Sequence, residues 1–139
     1  MQYGLFWVSL KVILKNQKNE VLGLEAQLNG SMPGFYDLPG GRVDNHEVRE
    51  SFPKLIDREL KEEIGNIEYK LNPKPVFAQT WDVKDGKLVA YVYYEAEYLS
   101  GDIIISNEHL SSKWIPLSPE TIEQHFTSFH KNALQECIK

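Results

Sequence analysis

Residues 40–65 read Gly40-Gly41-Arg42-Val43-Asp44-Asn45-His46-Glu47-Val48-Arg49-Glu50-Ser51-Phe52-Pro53-Lys54-Leu55-Ile56-Asp57-Arg58-Glu59-Leu60-Lys61-Glu62-Glu63-Ile64-Gly65. From about Ser51 to Ile64 the pattern predicts a helix. Ser51 is placed as its N-cap, Pro53 is tolerated in the first turn because its missing N–H would have no partner there, and Gly65 suits the stop. With about 100° per residue and Glu59 at zero, Glu62 falls at about 300° and Glu63 at about 40°. Phe52, Leu55 and Ile56 fall in the same arc, at about 20°, 320° and 60°. The first half of the helix therefore presents an apolar stripe, and the second half continues that stripe with three acids. An ordinary amphipathic helix places its acids opposite the stripe. Like charges at these spacings repel by a few tenths of a kcal/mol per pair, and partial burial costs more unless something neutralises them. A divalent cation would do so. A solvated acidic face paired with Arg58 and Lys61 is the alternative reading of the helix alone.

The preceding loop adds context. The segment resembles the Nudix box, whose pattern is Gly, five residues, Glu, seven residues, then Arg-Glu-aliphatic-any-Glu-Glu-any-Gly-aliphatic. Glu50, the run from Ser51 to Asp57, and Arg58 to Gly65 match it position by position. Gly34 to Gly41 also resembles the family's approach to the box, with Tyr36 where Trp is common. Two departures stand out. Eight residues separate Gly41 from Glu50, three more than the pattern, and Asn66 takes an aliphatic position. Alternatively Glu47 is the box glutamate and the insertion lies in the helix. The loop is preferred, because three extra helical residues would turn the first half by about 300° against the acids, whereas loops accept insertions cheaply.

Outward from the box, Phe6, Val8, Leu10, Val12 and Leu14 alternate as in a strand. Asn16 to Asn19 read as a turn and Val21 to Leu24 as the returning strand, with Gln27 to Gly34 a polar loop and Phe35 to Leu38 extended. Pro75 to Val83 and Lys87 to Tyr98 are predicted strands joined by Lys84-Asp85-Gly86. Leu88, Ala90, Val92, Tyr94, Ala96 and Tyr98 would share one face. Asp102 to Ser106 is predicted as a short strand and Lys113 to Leu117 as extended. Ser118-Pro119 opens one final helix with Ile122, Phe126, Phe129, Ala133 and Cys137 at helical spacing. The fold class is α/β, and the resemblance implies a Nudix-like α/β/α sandwich on a mixed β-sheet, with residues 1–139 as a single Nudix hydrolase domain.

The chain has 139 residues, 42% apolar and 25% charged, as in an ordinary globular protein. No run of about 18 apolar residues suggests a membrane span, and the opening Met1-Gln2-Tyr3-Gly4 lacks the features of a signal peptide. Cys137 is the lone cysteine, which excludes an internal disulfide and points to a cytoplasmic setting. The net charge of −5 argues against a nucleic-acid polymer as partner but permits a nucleotide, since a carboxylate-held cation attracts phosphate. Histidines at metal spacing are lacking, which excludes a typical zinc site. Oligomeric state is not legible.

The resemblance implies a hydrolase of phosphoanhydrides that uses Mg2+, with Mn2+ as a substitute. The metal ligands would be Glu59, Glu62, Glu63 and the Gly40 carbonyl, the last brought close because glycine has no side chain. Arg58 would hold a glutamate in place and pair with Glu50. Glu63 or Glu62 is the first candidate for general base, and Glu108 in a later loop is another. Gly41 and Tyr36 are candidate substrate contacts. His109 and His46 could touch phosphate. Phe77, Trp81 and Tyr91 could stack on a base or simply fill the core. Trp81 stands where the ADP-ribose class carries proline, and the short chain resembles compact nucleoside triphosphate pyrophosphohydrolases, which release a monophosphate and pyrophosphate. ADP-ribose or nucleotide-sugar cleavage is the next expectation, followed by an inactive nucleotide-binding module.

Overall fold

The computed structural model describes residues 1–30, 32–83 and 86–139. Among them, eight strands form one mixed sheet: β1 (Trp7–Lys15), β2 (Glu20–Glu25), β3 (Tyr36–Asp37), β4 (Gly40–Arg42), β5 (Glu68–Leu71), β6 (Phe77–Val83), β7 (Lys87–Ser100) and β8 (Ser112–Pro116). Helix α1 (Phe52–Ile64) follows β4, while α2 (Pro119–His125) and α3 (Ser128–Cys137) end the chain. The longest path through the sheet is β3-β2-β1-β7-β5, with β4 on β1, β6 on β7 and β8 on β2. β1 and β7 run parallel, with Trp7 opposite Val89 and Lys15 opposite Glu97, and the other pairings are antiparallel.

Side chains alternate across a strand, so β1 and β7 feed two cores at once. On one face Leu10, Val12, Leu14, Tyr94 and Ala96 pack against Leu55, Ile56, Leu60 and Ile64 of α1. On the other, Ile13, Val89, Tyr91 and Tyr93 meet Ile122 of α2, Phe126, and Ala133 and Leu134 of α3. Each fully buried aliphatic side chain contributes roughly 1.5–3 kcal/mol. The two cores make the α/β/α sandwich expected from the box.

Three local expectations change. The single final helix is two, because Phe126 is extended (φ −119°, ψ 148°) and α3 starts afresh after Thr127, also extended. The break lets Ile122, Phe126 and Leu134 all reach the core. Asp102 to Ser106 is not a strand; it is tied to the end of α1 by Ile104 N–H to Ile64 O (2.9 Å) and Ser106 N–H to Glu63 O (3.1 Å). β5 was not anticipated. Of the predicted turn between β6 and β7, Lys84 and Asp85 lie outside the described residues. No helix among the described residues is long and apolar enough to cross a membrane.

Candidate active site

β4 lies antiparallel on β1, with Gly40 opposite Lys11 and Gly41 opposite Leu10. This register forces the glycines. Gly40 has φ +127°, and a Cβ there would sit 1.9 Å from the Leu10 carbonyl oxygen. A Cβ on Gly41 would meet Glu59 Oε1 at 3.0 Å. The glycine pair thus allows the β4 backbone to lie directly against the carboxylates of α1.

Those carboxylates separate by depth. Glu63 is 5% exposed, and its Oε1 accepts the Gly40 N–H at 2.8 Å. Burial pushes its carboxyl up to about 7; Lys11 and the Gly40 N–H oppose the shift, and Glu59 and Asp37 add to it. Burial also raises Glu59, against the pull of Arg58 and with repulsion from Glu62. Glu62 lies at the rim, its side chain 61% exposed. The arc read from the helix is therefore tilted: Glu63 and Glu59 turn inward and Glu62 outward.

Arg58 binds three glutamates of the box. Nη2 donates to Glu47 Oε2 at 2.7 Å and to Glu59 Oε1 at 3.2 Å, and Nη1 donates to Glu62 at 3.2 Å. The expected pair with Glu50 is corrected here. Glu50 lies on the surface and bridges to Lys54 at 3.0 Å, while Glu47, 6% exposed, is the partner of Arg58. The Glu47 carboxylate also accepts the Asp44 N–H at 3.0 Å, closing a capping box around the turn Asn45–Glu47. Gly41 and Glu47 are then five residues apart, as in the family pattern, and the three extra residues fall in the turn between Glu47 and α1. The alternative reading chooses Glu47, but with the insertion inside the helix. The insertion precedes the helix, so it does not rotate the acids. Ser51 occupies the N-cap position but its side chain makes no capping bond; its carbonyl accepts the Leu55 N–H at 3.1 Å.

The loop between β7 and β8 brings further groups to Glu63. At one end it is held by the α1 carbonyls, and at the other by Leu110 N–H to Glu25 O (3.0 Å). Single ligand atoms of Glu63, Glu108 and His109 lie within 4.8 Å of one another. Glu59 and Glu62 stand outside that group and are engaged with Arg58. His46 is exposed beside Asp44, remote in chemistry from this cluster. The ring of Tyr36 packs with His125 at 5.6 Å and joins the second core, as do Phe77, Trp81 and Tyr91.

Beneath the glycine pair is a buried polar chain that the sequence reading missed. Lys11 Nζ donates to Asp37 Oδ1 (3.1 Å) and to the carbonyls of Leu38 (3.1 Å) and Gly40 (3.4 Å). Asp37 Oδ1 also lies 2.7 Å from His130 Nε2, whose Nδ1 is 3.1 Å from the Tyr93 hydroxyl. Burial pushes Asp37 up, but Lys11, His109 and His130 together hold it well below the usual carboxylate range. Burial keeps His130 below its ordinary value despite Asp37. A lysine at an inward strand position in Leu10-Lys11-Val12-Ile13 was the available signal. Trp7, exposed beside β4 with the Arg42 guanidinium 4.9 Å from its ring centroid, was also missed.

No family model and no curated protein matches the sequence. Solved structures do. The E. coli ORF135 protein superposes with TM-score 0.77 at 19% identity, covering 96% of this chain and 89% of that one. The MutT protein from Methanosarcina mazei Go1 gives 0.74 at 24%, covering 94% and 91%. A C. elegans Ap4A hydrolase gives 0.76 at 22%, covering 95% of each. The chain has the fold of the Nudix and MutT hydrolases.

Proposed function

We propose that residues 1–139 form a metal-dependent hydrolase of the Nudix type that cleaves a phosphoanhydride bond in a nucleoside diphosphate-linked compound. Our preferred substrate class is a nucleoside triphosphate, ribo or deoxy, released as monophosphate and pyrophosphate in the cytoplasm. One observation carries the reading: Glu63 is buried near two other acids, and burial raises its carboxyl to about 7 even though Lys11 and the Gly40 N–H pull it down. Such a cost has little structural return, and it falls when a cation is present.

The residues fit a magnesium or manganese ion, which favours carboxylate and carbonyl oxygens. Glu59, Glu62, Glu63 and the Gly40 carbonyl would hold it. Bound there, the ion would supply charge neutralisation to the phosphates and acidity to the attacking water. The remaining work falls to the chain. Arg58 holds Glu59 and Glu62 in place and is itself fixed by Glu47. Glu63 or Glu62 takes the proton from water, with Glu108 the further candidate. Gly41 lets the substrate approach along the β4 backbone. Trp7 and Arg42 lie beside it and suit a base and a phosphate.

Phosphate and pyrophosphate release from about twenty nucleotides, with and without magnesium, tests the reading. We expect metal-dependent turnover with a triphosphate preference. ADP-ribose or a nucleotide sugar as best substrate would replace that preference, and tight binding without turnover of any compound would identify a sensor instead.

A further inference from the structure

We propose that His109 supplies a ring nitrogen to this centre, so that Glu63, Glu108 and His109 form a mixed nitrogen–oxygen site selecting manganese or another first-row transition ion over magnesium. The inference rests on the cation reading above and adds to it two ligands, Glu108 and His109, and a selectivity.

Glu63 comes from α1 and the adjacent pair Glu108-His109 from the loop before β8, and their ligand atoms already lie within 4.8 Å of one another. An ion bound at about 2.1 Å spans ligand atoms up to about 4.2 Å apart, so a small closure completes the set. The imidazole has a nitrogen to offer. His109 Nδ1 is buried and has no hydrogen-bond partner among the described residues. A buried polar atom left without a partner costs free energy, and a coordinating lone pair would remove that cost. The other nitrogen, Nε2, lies 3.9 Å from Asp37 Oδ2. A carboxylate hydrogen-bonded to one ring nitrogen holds the proton there and leaves the other nitrogen's lone pair for a metal, and a small approach of Asp37 to Nε2 would make that bond. Lys11 and His130 keep Asp37 ionised for that task.

The other histidines are placed differently. His130 has both ring nitrogens engaged, His125 has Nδ1 on the Thr121 carbonyl, and His46 lies on the surface. Magnesium prefers oxygen ligands and retained waters, whereas imidazole suits later divalent ions. One nitrogen in an otherwise oxygen set shifts the preference accordingly.

The test uses the full chain loaded with manganese, with nitrogen-15 introduced at histidine, and reads electron spin echo modulation. We expect nitrogen modulation in the wild type that changes with the isotope and disappears in H109Q. In parallel, the manganese-over-magnesium affinity ratio should fall by about tenfold in H109Q, the lower end of what ligand-shell changes cause. No nitrogen modulation in the wild type overturns the proposal, as does modulation surviving in H109Q. Should H109Q fail to fold, the wild-type spectrum still decides whether a histidine is a ligand, and H46Q and H125Q exclude the accessible alternatives. Nucleotide turnover without modulation would remove this inference and leave the hydrolase reading. Modulation without turnover would do the reverse.

Discussion

Glu63 concentrates the chemistry of the site in a single carboxylate. It accepts a backbone N–H, faces a buried ammonium, and stands next to two other acids. Glu63→Gln keeps the shape and the hydrogen bond while deleting the charge. We expect its melting temperature to equal or exceed that of the wild type, with turnover lower by about 10²–10³. Calorimetry and single-substrate kinetics check both halves, and unchanged kinetics would remove Glu63 from the mechanism. Arg58 offers a second comparison. Glu47→Gln removes the charge behind a 2.7 Å buried contact, whereas Glu50→Gln touches only a surface pair with Lys54. Losing one side of a buried pair costs more than losing an exposed one. Turnover should fall at least about tenfold for Glu47→Gln, and stability should stay within about 0.5 kcal/mol of wild type for Glu50→Gln. Equal effects would mean that Arg58 is not held through Glu47.

At the scale of elements, β1, β3 and α3 meet through Lys11, Asp37 and His130. Lys11 is 7% exposed and bonded to two carbonyls of the Leu38–Gly40 segment, so it ties the glycine pair to the sheet. Lys11→Met fits the strand but leaves Asp37 without its cation. A destabilisation of about 3–5 kcal/mol is expected from denaturant unfolding, because the uncompensated charge stays buried. Lys11→Met with Asp37→Asn removes both charges and should recover part of that loss. A double variant no more stable than the single one would show that the pair is not energetically coupled.

Across the whole molecule, stability should depend on acid. His130 is fully buried, between Asp37 on β3 and Tyr93 on β7, with Lys11 of β1 nearby. Its folded-state pKa lies below the ordinary histidine value of about 6.5 because burial disfavours the imidazolium. Below about pH 6.5 the unfolded chain therefore binds a proton that the folded chain refuses, and stability drops as pH falls from there to the folded pKa. Above about pH 6.5 this group contributes no slope. Glu63, raised to about 7, gains stability as it takes up its proton over the same interval, so the His130 contribution is read as a difference: from pH 8 to pH 5 the melting temperature of wild type should fall relative to that of His130→Gln. An unchanged slope in the variant would place the acid sensitivity elsewhere.

What the sequence determined by itself was local and periodic. The helix of residues 52–64, the acids that extend its apolar stripe and the alternation in β1 and β7 follow from spacings along a few turns of chain, and the sandwich from the resemblance of the box. What the tertiary structure alone decided was partnership. Glu47 and Glu50 are both acids at credible distances from Arg58, and only the turn before α1 selects between them. Lys11, Asp37 and His130 are separated by 26 and 93 residues, and their mutual burial depends on how strands and α3 pack. Depth was likewise invisible, since a helical wheel gives direction but not distance from solvent. Ion pairs and pKa values depend on that distance, because desolvation and Coulomb attraction both grow as water is excluded.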